Sequence, residues 1–150
     1  MKKLWVAILI FSTQIFSGCF DKVEEKPAPQ KINFDLSSAK DGTYTAESSR
    51  DEKLGKSVLT LTIKDEKIID AQFTGYDLFG NEKDETYGEI LGKDSADYKK
   101  AQIAVQAIKN YPAQLVETQN LDEVDAISGA SISYGQFVET VEKAVDDAKK

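Results

Sequence analysis

Seven residues, Asp125-Ala-Ile-Ser-Gly-Ala-Ser131, place a carboxylate, two serine hydroxyls and a Gly-Ala step directly before a strongly amphipathic stretch. A hydroxyl at the start of a helix lies where unpaired N–H groups and the positive end of the macrodipole favour a phosphate. Negative charge held there gains about 0.3–1 kcal/mol from the dipole. Gly129 permits close backbone approach, and Ala130 leaves the neighbouring hydroxyl unshielded. An ordinary explanation stands beside this one. Loops before helices are rich in serine because its oxygen accepts from exposed N–H groups. On that view Ser133 is the N-cap, Gln136 completes a capping box with it, and Asp125 is a solvated charge in an acidic turn.

The elements around this segment are legible from periodicity. Thr43 to Glu47 is rich in strand formers. Leu59, Leu61 and Ile63 alternate with Thr60 and Thr62, and the next run predicts Ile69, Ala71 and Phe73 on the inner face. Asp65-Glu66 between these runs predicts a tight antiparallel hairpin, although Glu66 suits positive φ poorly. A fourth extended segment is expected around 75–79. Tyr98, Ala101, Val105 and Ile108 mark a helix from about Asp97 to Lys109, and Pro112 is expected to open a second, short helix to about Gln119. Tyr134, Phe137, Val138, Val141, Ala144, Val145 and Ala148 form the apolar stripe of a final helix. Strands followed by helices predict an α+β fold, a small antiparallel sheet packed with C-terminal helices.

The N-terminus reads as a targeting segment. Met1-Lys2-Lys3 is a basic n-region, Leu4 to Phe11 is unbroken apolar sequence, and Phe16-Ser17-Gly18 precedes Cys19. The apolar run is far short of the roughly 20 residues that span a membrane, so residues 1–18 are expected to be a signal peptide. Cys19 is the sole cysteine, which excludes an intramolecular disulfide. Residues 19–39, with Pro27 and Pro29, are expected to be a tether, with Ile32 to Leu36 able to dock on the domain that follows at 40–149. Loss of Lys2 and Lys3 takes the formal charge from −7 to −9. So acidic a chain lacks the basic footprint that nucleic acid requires. It contains no histidine, which excludes Ser-His and Cys-His catalysis and histidine-bearing zinc sites. No metal site is expected.

The segment from Asp125 to Ser131 resembles the Asp-x-x-(Ser/Thr)-Gly-Ala-(Ser/Thr) flavinylation motif of FMN-binding domains. The resemblance covers roughly residues 40–148. Asp41-Gly42-Thr43-Tyr44 is similar to that family's opening strand, Ser57 to Ile69 to its second and third, and Asn120 to Ser133 to its C-terminal signature. Many members carry Asp-Gly-Lys at the hairpin, where this chain has Asp65-Glu66-Lys67. The position of Cys19 resembles a bacterial lipobox, which implies a lipidated mature N-terminus.

The resemblance implies FMN joined to Ser131 through a phosphoester. A separate flavin transferase would use FAD as donor and release AMP. Ser128, Gly129 and Ala130 would complete the attachment motif, and Asp125 would form part of what the transferase recognises. The flavin would carry the redox chemistry, so no acid, base or nucleophile of the chain's own is needed for it. The whole implies an electron-transfer protein held to the outer face of a cell membrane by its lipid anchor. Its electrons would come from a membrane quinone reductase or a flavoprotein. Two rivals stand beside it, a module holding flavin without a covalent bond and a cofactor-free binding or adhesion lipoprotein. Tyr44, Tyr76, Phe79, Tyr87 and Tyr134 are candidates to stack on a flavin, but core or rim packing is the ordinary role of aromatic residues and they are not counted as site residues.

Overall fold

A computed structural model describes residues 35–150 of the chain. The expected signal peptide, Cys19 and most of the expected tether, including Ile32 and Phe34, lie outside the described residues. Three strands form one antiparallel sheet in the order β1 (Gly42–Glu47), β2 (Lys56–Lys64), β3 (Lys67–Tyr76). Two helices follow, α1 (Ala96–Thr118) and α2 (Ser131–Ala148). The fold is α+β, as the run of strands before helices predicts.

Alternation decides which face of the sheet is dry. Leu59, Leu61 and Ile63 are fully buried beneath the helices. On the opposite face Thr60 and Thr62 pair across the strands with Thr45 and Thr43, hydroxyl to hydroxyl at 3.1 and 3.2 Å. α1 packs chiefly on β3, while α2 covers β1 and β2. Phe137 of α2 sits at the centre, edge-on to Phe73 at 5.0 Å and 5.4 Å from the Tyr111 ring. Leu36 joins this core, and the Lys40 amide donates to Ala148 O at 2.9 Å, which fastens the chain entering β1 to the end of α2.

The hairpin turns on Asp65 and Glu66 at φ 50° and 59°, a left-handed pair in residues that usually avoid it. The right-handed twist of the flanking strands selects that turn, and the Asp65 amide gains a bond to the Asp41 carboxylate at 2.9 Å. Just past it the register slips, with Ile63 opposite Ile68 but Thr62 opposite Asp70. Ile69 is the extra residue of a bulge, and the bulge reverses the alternation. Ile68 therefore points inward while Ile69 is 53% exposed, contrary to the inward placement expected from simple alternation.

Two further expectations are corrected. β3 ends at Tyr76, and in place of a fourth strand there is only an isolated bridge between Tyr76 and Glu82. Pro112 does not begin a new helix. It lies inside α1, which runs 23 residues without a break. Proline removes one N–H and crowds the carbonyl four residues back, so an interior proline is tolerated only where packing holds the helix together. Here Ile108, Tyr111, Pro112 and Leu115 are all buried on one face, and that stripe continues through the proline. α1 opens with Ser95 accepting from the Tyr98 amide at 3.0 Å and closes at Gln119, φ 57°. The Gln119 side chain then brackets Ile68, accepting from its N–H and donating to its carbonyl, both at 2.8 Å. Those bonds satisfy the edge of β3 where the bulge interrupts it.

Candidate functional site

Ser131 is the first residue of α2, and its side chain is exposed. The preceding residue, Ala130, occupies the N-cap position at φ −118°, ψ 30°, and no side chain caps the helix. The expected capping box is absent. Ser133 is buried inside the first turn, and Gln136 reaches the sheet instead, accepting from Ser57 Oγ and donating to Gly55 O, each at 2.8 Å. The reason is the apolar stripe of α2, which must face the sheet and carries Ser133 and Gln136 inward with it.

The turn before the helix is built for exposure. Ala130 N–H closes on Ile127 O at 3.0 Å, with Ser128 and Gly129 at the outer corner. Gly129 has φ 89°, a conformation that side-chain-bearing residues rarely adopt, although a Cβ there would meet only the Ile103 side chain, at 3.6 and 3.8 Å. Ala130 itself is buried and anchors the turn. Tyr134 N–H bonds Ala130 O at 2.9 Å, the first intrahelical bond. The amides ahead of it have no partner within the helix, as at every helix start. An exposed hydroxyl on an uncapped first turn fits a phosphate ester: the oxygen is accessible, and backbone donors and dipole lie beside it.

α1 supports this turn from behind. Tyr111 Oη accepts from the Ile127 amide at 3.2 Å, and Gln114 Oε1 accepts from the Asp125 amide at 2.9 Å. Both contacts go to backbone, leaving Asp125, Ser128 and Ser131 exposed. Tyr111 also meets Tyr134 edge-on at 5.5 Å. Burial pushes the Tyr134 phenol above its ordinary range, and the nearby Asp122 and Asp125 carboxylates push it further. Burial raises Tyr111 as well, opposed by the bond it accepts from Ile127. Sequence reasoning missed Tyr111 and Gln114. A signal existed for the tyrosine: it lies three residues after Ile108 on the buried stripe, and a buried phenol needs a polar partner.

The other aromatic candidates disperse. Tyr44 donates to Lys40 O at 2.9 Å, and Phe79 stands 90% exposed on a turn closed by the Asp77 carboxylate. Tyr87 lies under the Lys83 ammonium at 5.6 Å. Lys83 is the unexpected buried cation: burial holds its pKa below the usual lysine value, partly offset by Asp51 and Asp77. Among the described residues, two shallow hollows of about 270 and 320 Å³ share Glu47, the first bordered by Lys56, Val58 and Tyr76 and the second by the end of β1 and the last turns of α2, and neither is lined by any residue from 125 to 131.

Residues 53–146 match the FMN-binding domain family. Among solved structures, the chain is similar to a protein from Clostridium perfringens at 26% identity and a TM-score of 0.55, covering 74% of this chain and 89% of that one. A solution structure of a protein from Clostridium thermocellum is 30% identical over 74% of this chain and 93% of its own, with a TM-score of 0.44. No curated protein matches. The family match spans β2, β3, α1 and all of α2 but its C-terminal end, leaves β1 outside, and contains every residue of the Asp125–Ser131 segment. The chain belongs to the FMN-binding domain family.

Proposed function

We propose that this protein is an extracytoplasmic electron carrier, tethered to a membrane through lipidated Cys19 and holding FMN in a phosphoester bond to Ser131. One observation carries the reading within the family: an exposed serine hydroxyl is the first residue of a long, uncapped helix. In the attachment step the Ser131 oxygen forms a new bond to the FMN phosphorus of FAD. The pyrophosphate P–O bond breaks, AMP leaves, and the hydroxyl proton is released. A separate flavin transferase performs this reaction, with Asp125 and the 128–130 turn as part of what it recognises. The bound flavin supplies one- and two-electron redox chemistry. The chain's own part is to hold the phosphate at the start of α2 and keep the cofactor from being lost outside the cell. A membrane quinone reductase or a flavoprotein delivers the electrons.

Intact-mass analysis of the protein extracted from its native membrane tests all of this together. The expected mass is that of the chain from Cys19 with acyl groups and one FMN less water, and the flavin maps to the peptide containing Ser131. Colour lost on denaturation, with that peptide unmodified, would indicate noncovalent flavin. A colourless protein from cells that contain a flavin transferase would reject flavin binding altogether. Cys19→Ala is expected to release the protein from membranes, and unchanged retention contradicts the lipid anchor.

A further inference from the structure

Resting on attachment at Ser131, we infer that Tyr111 and Gln114 are positioning residues that present the acceptor serine to the flavin transferase. The two side chains stand three residues apart on α1 and therefore on one face of it. Each reaches a backbone N–H of the same loop, two residues apart, at Ile127 and Asp125. Among the described residues, the closure of Ala130 on Ile127 and the Tyr134 bond to Ala130 O are the backbone hydrogen bonds of residues 125–130, so between Asp125 and Gly129 these two side-chain acceptors, with buried Ala130 behind them, set where the loop lies. They act on the main chain alone. The Asp125, Ser128 and Ser131 side chains stay exposed for an incoming enzyme. The Tyr111 ring is also locked, fully buried between Tyr134 and Phe137. The loop is thus pinned to the protein core at two points, while the surface to be recognised stays open.

Group transfer from FAD needs the Ser131 oxygen in line with the pyrophosphate bond that breaks, so a wandering loop lowers the fraction of chains fit to bind. A reduced competent fraction raises the apparent dissociation constant and leaves the chemical step untouched. A role in stability alone would lower the melting temperature and leave the kinetics of the folded chain unchanged.

The test uses the full-length protein, FAD and a flavin transferase from the same organism, with flavinylation followed by intact mass. Tyr111→Phe and Gln114→Met each remove one acceptor while keeping most of the side-chain volume. Each is expected to raise the transferase KM for this chain about 3–10-fold at unchanged kcat, the effect of losing one hydrogen bond. The Asp125 and Ile127 amides should exchange hydrogen faster in Gln114→Met and Tyr111→Phe respectively. Gln114→Glu keeps an acceptor oxygen and should restore KM. Folded variants with wild-type KM, or a KM raised equally in Gln114→Glu, overturn the inference while attachment stands. Wild-type chain left unlabelled overturns attachment at Ser131 and this inference with it.

Discussion

The Gln136 amide and the Ser57 hydroxyl meet at 2.8 Å inside the core, joining the second turn of α2 to the start of β2 across 79 residues of sequence. The same glutamine donates to Gly55 O, and Ser57 N–H donates to Ser48 Oγ at 2.9 Å. A buried network of this kind holds α2, and so the start of the helix that carries Ser131, at a fixed place over the sheet. Gln136→Leu leaves the buried Ser57 hydroxyl without its acceptor, while the Gly55 carbonyl keeps the Asp51 amide at 2.8 Å. It is expected to destabilise the domain by about 1–3 kcal/mol. Denaturant unfolding of the single variant and of Gln136→Leu/Ser57→Ala measures it, and the double variant should fall short of the summed single losses.

Gly55 and Gly129 both have positive φ, yet they should respond differently to alanine. A Cβ at Gly55 would lie 2.2 Å from Tyr76 O and 2.6 Å from Asp77 O, backbone atoms that cannot yield. Gly55→Ala is expected to cost more than about 3 kcal/mol, from strain and clash together. At Gly129 only the backbone strain applies, so Gly129→Ala should cost about 1–2 kcal/mol. Thermal unfolding of the two variants side by side checks the ordering, and equal losses would contradict it.

Ser131→Ala should eliminate covalent flavin while changing stability by less than about 0.5 kcal/mol, because the side chain is exposed and makes no capping bond. Ser131→Thr retains the oxygen and should retain the label. Peptide mapping after production with the transferase reads both. Full labelling of the alanine variant would move attachment to another hydroxyl, and Ser128 is the exposed alternative, since Ser133 is buried.

Lys83 gives the domain a pH signature. Burial lowers its pKa in the folded state, so the unfolded chain binds more protons between that lowered value and about 10.5. Its contribution to stability therefore rises with pH through that window. Lys83→Met keeps the aliphatic stem and removes the charge, and it should raise the melting temperature at pH 7. The gain should shrink as pH approaches 10. Tyr87, Tyr111 and Tyr134, all raised by burial, act in the opposite sense above about pH 10, where the unfolded chain ionises first. Tyr111 and Tyr134 are common to both proteins and cancel in the difference, and keeping the comparison below about pH 10 leaves Tyr87, which lies under Lys83, protonated in both. A gain independent of pH would contradict the assignment to Lys83.

The sequence by itself determined what each segment needed. Alternation of Leu59, Leu61 and Ile63 with threonine required a sheet with one dry face, and the stripe from Phe137 to Ala148 required a helix to cover it. The order of residues from Asp125 to Ser131 carried the family and the candidate attachment point. All of these are local signals, readable because side-chain direction follows a period of two or 3.6. Tertiary structure decided the rest. Gln136 chose Ser57 over the helix terminus, α1 ran on through Pro112, and the bulge at Ile69 turned Ile68 inward in its place while Ala71 and Phe73 kept the inner face. It alone brought Tyr111 and Gln114 behind the loop that precedes Ser131. Burying an apolar stripe takes its polar neighbours along, and their partners are then whatever the packed chain places opposite, at sequence distances no periodicity encodes.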